Sequence, residues 1–165
     1  MTTRQAAPRP GRPDMPSYGI SQSEEGLLDW SWAADKLANT RNYFIATTRP
    51  DGRPHVTPVW GVLLGYTVCF STGVDSQKAR NLRANPSIVV TNESGDEAVI
   101  VEGTVEQMPK AMFGDFQRAY KTKYDWDVDG SEGPVFVVRP RKVFGFIEHS
   151  EQFTSTATRW MFDEP

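Results

Sequence analysis

Apolar and polar positions along the chain change period several times, and the changes outline a barrel of short strands with few helices. From Asn42 to Thr48 the residues are β-rich. Arg49-Pro50-Asp51-Gly52 then puts Pro and Gly where a tight type I turn needs them, and Pro54 to Trp60 returns as the second arm of a hairpin. Further strands are expected over Tyr66 to Ser71, Ser87 to Thr91 and Ala98 to Met108. In the longest, Val99, Val101, Gly103 and Val105 alternate with Ile100, Glu102 and Thr104, as in a half-buried wall, and Gly103 marks a bend. Two more strands fit Val135 to Val138 and Val143 to Glu148, separated by Arg139-Pro140-Arg141, and a last one lies near Thr156 to Phe162. Helical spacing is found twice. Leu27, Leu28, Trp30, Ala34, Leu37 and Ala38 follow the capping-box sequence Ser21-Gln22-Ser23-Glu24, and Met112, Phe113, Phe116, Ala119, Tyr120 and Tyr124 follow Pro109. Many short strands and few helices fit a closed or nearly closed antiparallel barrel better than alternating βαβ units.

Pro58 interrupts the second hairpin arm. It has no N–H for a sheet ladder, so it implies an edge strand, a bulge, or backbone turned toward a ligand. Residues 1–19 hold Pro8, Pro10, Pro13 and Pro16 with Arg4, Arg9 and Arg12, a composition that suggests a flexible tail ahead of a single domain over residues 20–165.

Composition narrows the possible roles. With 165 residues, 38% hydrophobic and 12% aromatic, the chain can bury a core, and a net charge of −3 gives it no general attraction to nucleic acid or anionic membrane. No apolar stretch approaches a membrane span and no hydrophobic leader is read, so the cytoplasm is the expected location. The single cysteine, Cys69, lies in Val68-Cys69-Phe70 and reads as a core residue. Two histidines, His55 and His149, and one cysteine offer little for a zinc site or a nucleophilic triad, and a histidine beside a hairpin turn is more often exposed than catalytic. Asp125-Trp126-Asp127-Val128-Asp129-Gly130 opens like a calcium loop, but the twelfth position is Phe136, so a solvated turn is the better reading.

One stretch carries chemistry of its own. In Ser71-Thr72-Gly73-Val74-Asp75-Ser76-Gln77-Lys78-Ala79-Arg80-Asn81-Leu82, a strand end with two hydroxyls passes through a glycine loop into a helix capped by Asp75 or Ser76, with free N–H groups pointing back at the loop. Lys78 falls in the first turn, where a cation is unfavourable unless an anion pairs with it. The helix ends at Asn85-Pro86.

Ser76-Gln77-Lys78 followed by Leu82-Arg83-Ala84-Asn85-Pro86 resembles the phosphate-binding segment of the pyridoxamine phosphate oxidase-like superfamily of flavin and deazaflavin split-barrel proteins. The likeness extends upstream to Arg49 through Trp60 and downstream to Val101-Glu102-Gly103-Thr104-Val105, covering roughly residues 27 to 162. It implies an FMN-binding split β-barrel of antiparallel Greek-key type, mainly β with peripheral helices, working as a homodimer with the cofactor at the interface. Carried onto this chain, it places Ser71, Thr72, Ser76 and Lys78 on the cofactor phosphate, with Arg80 and Asn81 beside them. Thr57, Pro58, Val59 and Trp60 fall along the tricyclic ring, and Trp160 falls in the partner's site or in dimer packing.

The C-terminal run Arg159-Trp160-Met161-Phe162-Asp163-Glu164-Pro165 departs from that of true pyridoxamine phosphate oxidases. Thr-Pro-Val-Trp with Ser-x-Lys-x-Arg-Asn-Leu looks more like the F420-dependent reductase branch of actinobacteria. The implied activity is hydride transfer from reduced F420 to a conjugated or aromatic small molecule, with no catalytic side chain assigned because the redox chemistry belongs to the ring. An FMN-dependent reductase or oxidase of the same fold, a non-catalytic carrier of F420 or haem, and a structural domain with a vacant groove are the alternatives.

Overall fold

A computed structural model describes residues 6–163. Nine strands and four helices follow one another as β1 (Arg9–Gly11), α1 (Trp30–Asn39), β2 (Tyr43–Thr48), β3 (Pro54–Val59), β4 (Gly61–Leu64), β5 (Thr67–Ser71), α2 (Gln77–Ala84), β6 (Ser87–Asn92), β7 (Glu97–Gln107), α3 (Lys110–Tyr124), β8 (Val135–Ile147), α4 (Phe153–Thr156) and β9 (Thr158–Met161). All pairings are antiparallel: the order is β1-β9-β8-β7-β6-β2-β3, with β5 on the N-terminal part of β8 and β4 on β5. β3 passes into β4 through Trp60, so this border is joined by covalent chain and not by ladder hydrogen bonds. The result is an open, split barrel, as the strand pattern and the resemblance lead one to expect.

The β2–β3 turn is as read from Pro and Gly: Gly52 N donates to Arg49 O at 2.8 Å, and Gly52 takes a φ of +85°. Pro58 is accommodated because β3 pairs with β2 alone, leaving its other side without a ladder.

Several expectations need correction. Ser21 and Ser23 do not open a helix; each hydroxyl accepts the N–H two residues on, at 3.1 Å, forming consecutive serine turns, and α1 starts only at Trp30. β4 was not anticipated, since Gly61-Val62-Leu63-Leu64 is a short run without alternation, closed by Gly65 at φ +60°. The pair of strands expected on either side of Arg139-Pro140-Arg141 is one strand of 13 residues. Pro140 is tolerated inside it because the ladder shifts there: Glu102 pairs with Lys142 and Gly103 with Pro140, which leaves Arg141 as the extra residue of a bulge. The last strand begins at Thr158, after the short α4. Within the Pro- and Arg-rich segment, residues 1–5 lie outside the described residues. Beyond them, β1 pairs Pro10 with Trp160, and the Arg12 guanidinium donates to Ser23 O, Glu25 O and Ala157 O at 2.6–2.9 Å.

Two apolar clusters fill the barrel. The larger gathers Leu37, Tyr43, Ile45, Phe70, Val90, Val99, Val138 and Trp160 under α1; the smaller seats Phe116 and Tyr120 of α3 on Val62, Cys69 and Val137. The stripe read from Met112 to Tyr124 is the face that does this. Trp30 and Trp32 both flank the core, half-buried. Among the described residues no helix is long and apolar enough to cross a membrane.

Candidate functional site

The site is built on the inner face of the β2–β3 hairpin and on the helix that leans against it. Register pairs Thr47 with His55, Ile45 with Thr57 and Tyr43 with Val59, so His55, Thr57 and Val59 share a side with the buried residues of β2, while Val56 and Pro58 point outward. α2 is capped by Ser76, whose Oγ accepts from Ala79 N at 3.2 Å. Asn81, fully buried, locks the helix in place: its Nδ2 donates to Thr47 Oγ1 at 2.9 Å and its Oδ1 accepts from Gln77 Nε2 at 2.7 Å. Asn81 therefore positions the helix, and its amide is already committed.

This docking carries Lys78 to the His55 end of β3. The His55 imidazole is held below the usual histidine range, first by burial and then by the charges of Arg49 and Lys78. Its Nδ1 is buried with no hydrogen-bond partner. Lys78 and the Arg49 side chain have no ion-pair or hydrogen-bond partner among the described residues, and the carboxylate of the turn, Asp51, is taken up by Arg53 at 2.8 Å. The charges of Arg49 and Lys78 thus both act on a neutral imidazole, an arrangement suited to an anion with several oxygens.

The cradle read from the sequence as one unit is divided. Thr72 is buried, its Oγ1 shares a hydrogen bond with Ser76 Oγ at 3.0 Å, and its N–H donates to Pro134 O. Ser71 and Thr72 line a small cavity of about 270 Å³ whose other wall includes Asp129 and Glu132. Carboxylates on that wall do not favour a phosphate, whereas the Thr72 hydroxyl is tied through Ser76 Oγ to the start of the helix that carries Lys78. Arg80 turns back on its own helix start, donating to Asp75 O at 2.5 Å and Gln77 Oε1 at 3.0 Å, and lies in solvent.

At the other end of β3, Trp60 stacks on Tyr124 with ring centroids 4.6 Å apart and planes within 4°. The Tyr124 hydroxyl lies 2.7 Å from Arg41 O and 2.8 Å from Gly61 O, and accepts from Gly61 N at 2.9 Å, which fastens the end of α3 to the corner after β3. Lys123 Nζ donates to Gly61 O at 2.9 Å and sits 4.7 Å from the centre of the Tyr43 ring. Burial lowers its pKa from 10.5 to about 8.

The unfolded chain therefore binds a proton at Lys123 that the folded chain gives up between about pH 8 and 10, and stability is expected to rise across that window. Above it, Tyr43 and Tyr124, whose pKa values burial raises, act in the opposite sense. Urea midpoints of the native protein should increase from pH 7 to about pH 9.5, and Lys123→Met should flatten that rise.

Trp160 is not at a surface. It is 1% exposed, inside this chain's own core, edge-on to Trp30 at 5.5 Å. The alternation of β9 puts it inward with Thr158, so neither a partner's site nor interface packing is open to it. Sequence reasoning missed Arg41, Arg49, His55 and Tyr124. For His55 the signal was available: it falls in step with Thr57 and Val59 along an alternating strand.

The outer face of the sheet is apolar in a continuous band. Phe44 lies between Pro58 and Thr91, Thr91 faces Ile100, and Ile100 faces Phe144; Val56, on the same side, is 60% exposed. A groove of about 620 Å³ crosses this face between Ala46, Pro54, Val89, Glu102 and Met161.

Solved structures with this architecture include an F420 reductase, 27% identical with a TM-score of 0.56 over 73% of this chain and 98% of that one. A conserved hypothetical protein from Mycobacterium tuberculosis is 22% identical, with a TM-score of 0.63 over 75% of this chain and 88% of its own. A haem-binding protein from Mycobacterium smegmatis is 19% identical, with a TM-score of 0.64 over 74% of this chain and 56% of its own. No curated protein matches the chain. The family model described as pyridoxamine 5'-phosphate oxidase matches residues 33–145, most of the chain, from within α1 to near the end of β8, including the hairpin, α2 and the basic cluster. With that span added to the open barrel and its site, the chain belongs to the pyridoxamine 5'-phosphate oxidase family.

Proposed function

We infer that this protein is a reductase that holds F420 along β3 and reduces a conjugated or aromatic small molecule. The observation that carries the reading is the buried His55 imidazole nitrogen left unpaired, on a side chain that the charges of Arg49 and Lys78 both reach. A phosphate on the cofactor supplies the missing charge, and Lys78 and Arg49 hold it by charge-assisted hydrogen bonds. β3 then acts as a ruler: at ~3.3 Å per residue, Trp60 lies roughly 16 Å from His55, the scale of a tricyclic ring joined to a phosphate through a ribityl chain. Of the four residues the resemblance sets along the ring, Thr57 and Trp60 stand at the ring end on this side, while Pro58 points to the other face and Val59 is buried in the core. F420 supplies hydride chemistry when bound, and the chain's part is to bind, orient and screen it. The 27% identity to an F420 reductase over nearly all of that protein favours F420 over FMN.

The outer apolar band supports a homodimer through the sheet face, closing the groove over the hairpin. Val56→Arg places a charge in that band and is expected to turn a dimer into a monomer with little change in melting temperature, as read by light scattering and a thermal scan. The function is tested by titrating the protein with F420 and with FMN, following cofactor fluorescence. Tight F420 binding with weak FMN binding supports the reading, and the reverse moves the protein to the flavin branch. A second reading, haem binding, draws on the likeness to a haem-binding protein and on the unpaired His55 nitrogen. It predicts a Soret band on haem addition that Lys78→Ala leaves unchanged.

A further inference from the structure

We propose that Trp60 and Arg41 form a subsite for a flat aromatic ring bearing an oxyanion at its edge. The proposal deepens the function above and rests on it only for which molecule brings the ring. Trp60 is 36% exposed, although one face is covered by Tyr124 at stacking distance. The Arg41 guanidinium lies 5.5 Å from the Trp60 ring centre and 5.9 Å from that of Tyr124. A cation on the far face of the indole would be much farther from Tyr124 than from Trp60, so near-equal distances put Arg41 beside the stack. Tyr120, 6.3 Å from Trp60 and 4.8 Å from Tyr124, is likewise on the Tyr124 side. The outer face of Trp60 is therefore free of ring and guanidinium contacts, with a cation at its rim.

Beyond these ring contacts the guanidinium makes no side-chain hydrogen bond among the described residues, although the charge of Glu93 reaches it. It has no carboxylate within ion-pair distance among the described residues. Glu93, the acid whose charge acts on this corner, is occupied by Arg41 N at 3.2 Å and Asn42 Nδ2 at 3.0 Å. Lys123, 5.3 Å from the Tyr124 ring, adds a second cation behind the stack. A π-face rimmed by a planar fork of N–H donors selects a planar ring for stacking and an oxyanion in the ring plane for pairing. Two molecules bring that chemistry: the deazaflavin of F420, whose ring carries an ionisable phenolic hydroxyl absent from FMN, and an aryl carboxylate substrate.

The intact protein is titrated calorimetrically with coumarin-3-carboxylate and its methyl ester, and with the ribityl deazaflavin of F420 (the cofactor without its phosphate tail) and riboflavin. Each anionic probe is expected to bind about tenfold more tightly than its neutral counterpart. R41L should erase that preference while melting like the native protein, and W60L should weaken the anionic probes. Equal affinity for acid and ester, or a preference that survives in R41L, overturns the proposal. Deazaflavin displacing the coumarin acid assigns the subsite to the cofactor ring, whereas coumarin acid that binds F420-saturated protein assigns it to the substrate. Arg41-dependent binding of the acid by a protein that fails to bind F420 removes the cofactor reading and leaves the subsite standing.

Discussion

Lys78→Ala is expected to weaken F420 binding at least about tenfold, and by up to a hundredfold if both charge-assisted contacts of the ammonium are lost. The large effect follows from what surrounds the residue. Lys78 has no ion-pair or hydrogen-bond partner among the described residues, its helix is held by the Ser76 cap and by Asn81 to Thr47, and its charge acts on His55 as that of Arg49 does. The ammonium contributes to the anion and little to the fold, so the variant should melt at or above the native temperature. Arg80→Ala is the control: that guanidinium is exposed and turned back on Asp75 and Gln77, and its loss should change affinity less than about threefold. Fluorescence titration of the three proteins at one ionic strength decides the matter. Equal affinity for native and Lys78→Ala protein would remove the basic cluster from the site.

Gly103→Val should be among the most damaging substitutions in the sheet. A Cβ at this position would lie 2.1 Å from Arg139 O and 2.9 Å from its carbonyl carbon, both backbone atoms of the neighbouring strand. No rotamer relieves that contact, so β7 and β8 must separate where the ladder shifts from Lys142 to Pro140. The expected loss is more than about 3 kcal/mol, the range associated with backbone displacement at a constrained position, and it should be seen as a lowered urea midpoint or failure to accumulate folded protein. A native-like midpoint would show that the bulge can open without cost.

Much of the barrel could be read from the sequence because its signals are local. Gly52 and Pro50 fix the hairpin turn, alternation fixes β7, and the stripe from Met112 to Tyr124 fixes α3. What escaped depends on contacts between distant segments. β8 runs unbroken through Pro140 only because Gly103 opposes it, and nothing within residues 135–148 announces that. The candidate site divides in the same way. The Ser76 cap and the phosphate-segment resemblance pointed to α2, and Lys78 does reach β3. Ser71 and Thr72 also line a cavity walled by the loop that carries Asp129 and Glu132, a neighbour across more than fifty positions of chain, while the Thr72 hydroxyl is bonded to the Ser76 cap. Trp160 differs for a related reason: the resemblance implies a place at a subunit interface, but the pairing of β9 with β8 turns it into the core.

The short first strand has a bearing on how these molecules behave in company. β9 pairs with β8 on one side and β1 on the other, and the Arg12 guanidinium holds β1 down through three backbone carbonyls, two on the loop at Ser23 and Glu25 and one at Ala157. Stripped of β1, β9 would offer a row of open N–H and C=O groups to any extended peptide, including the same strand of another molecule. Three residues and one arginine therefore act as a selvedge, finishing the border of the sheet so that it does not fray into a polymer.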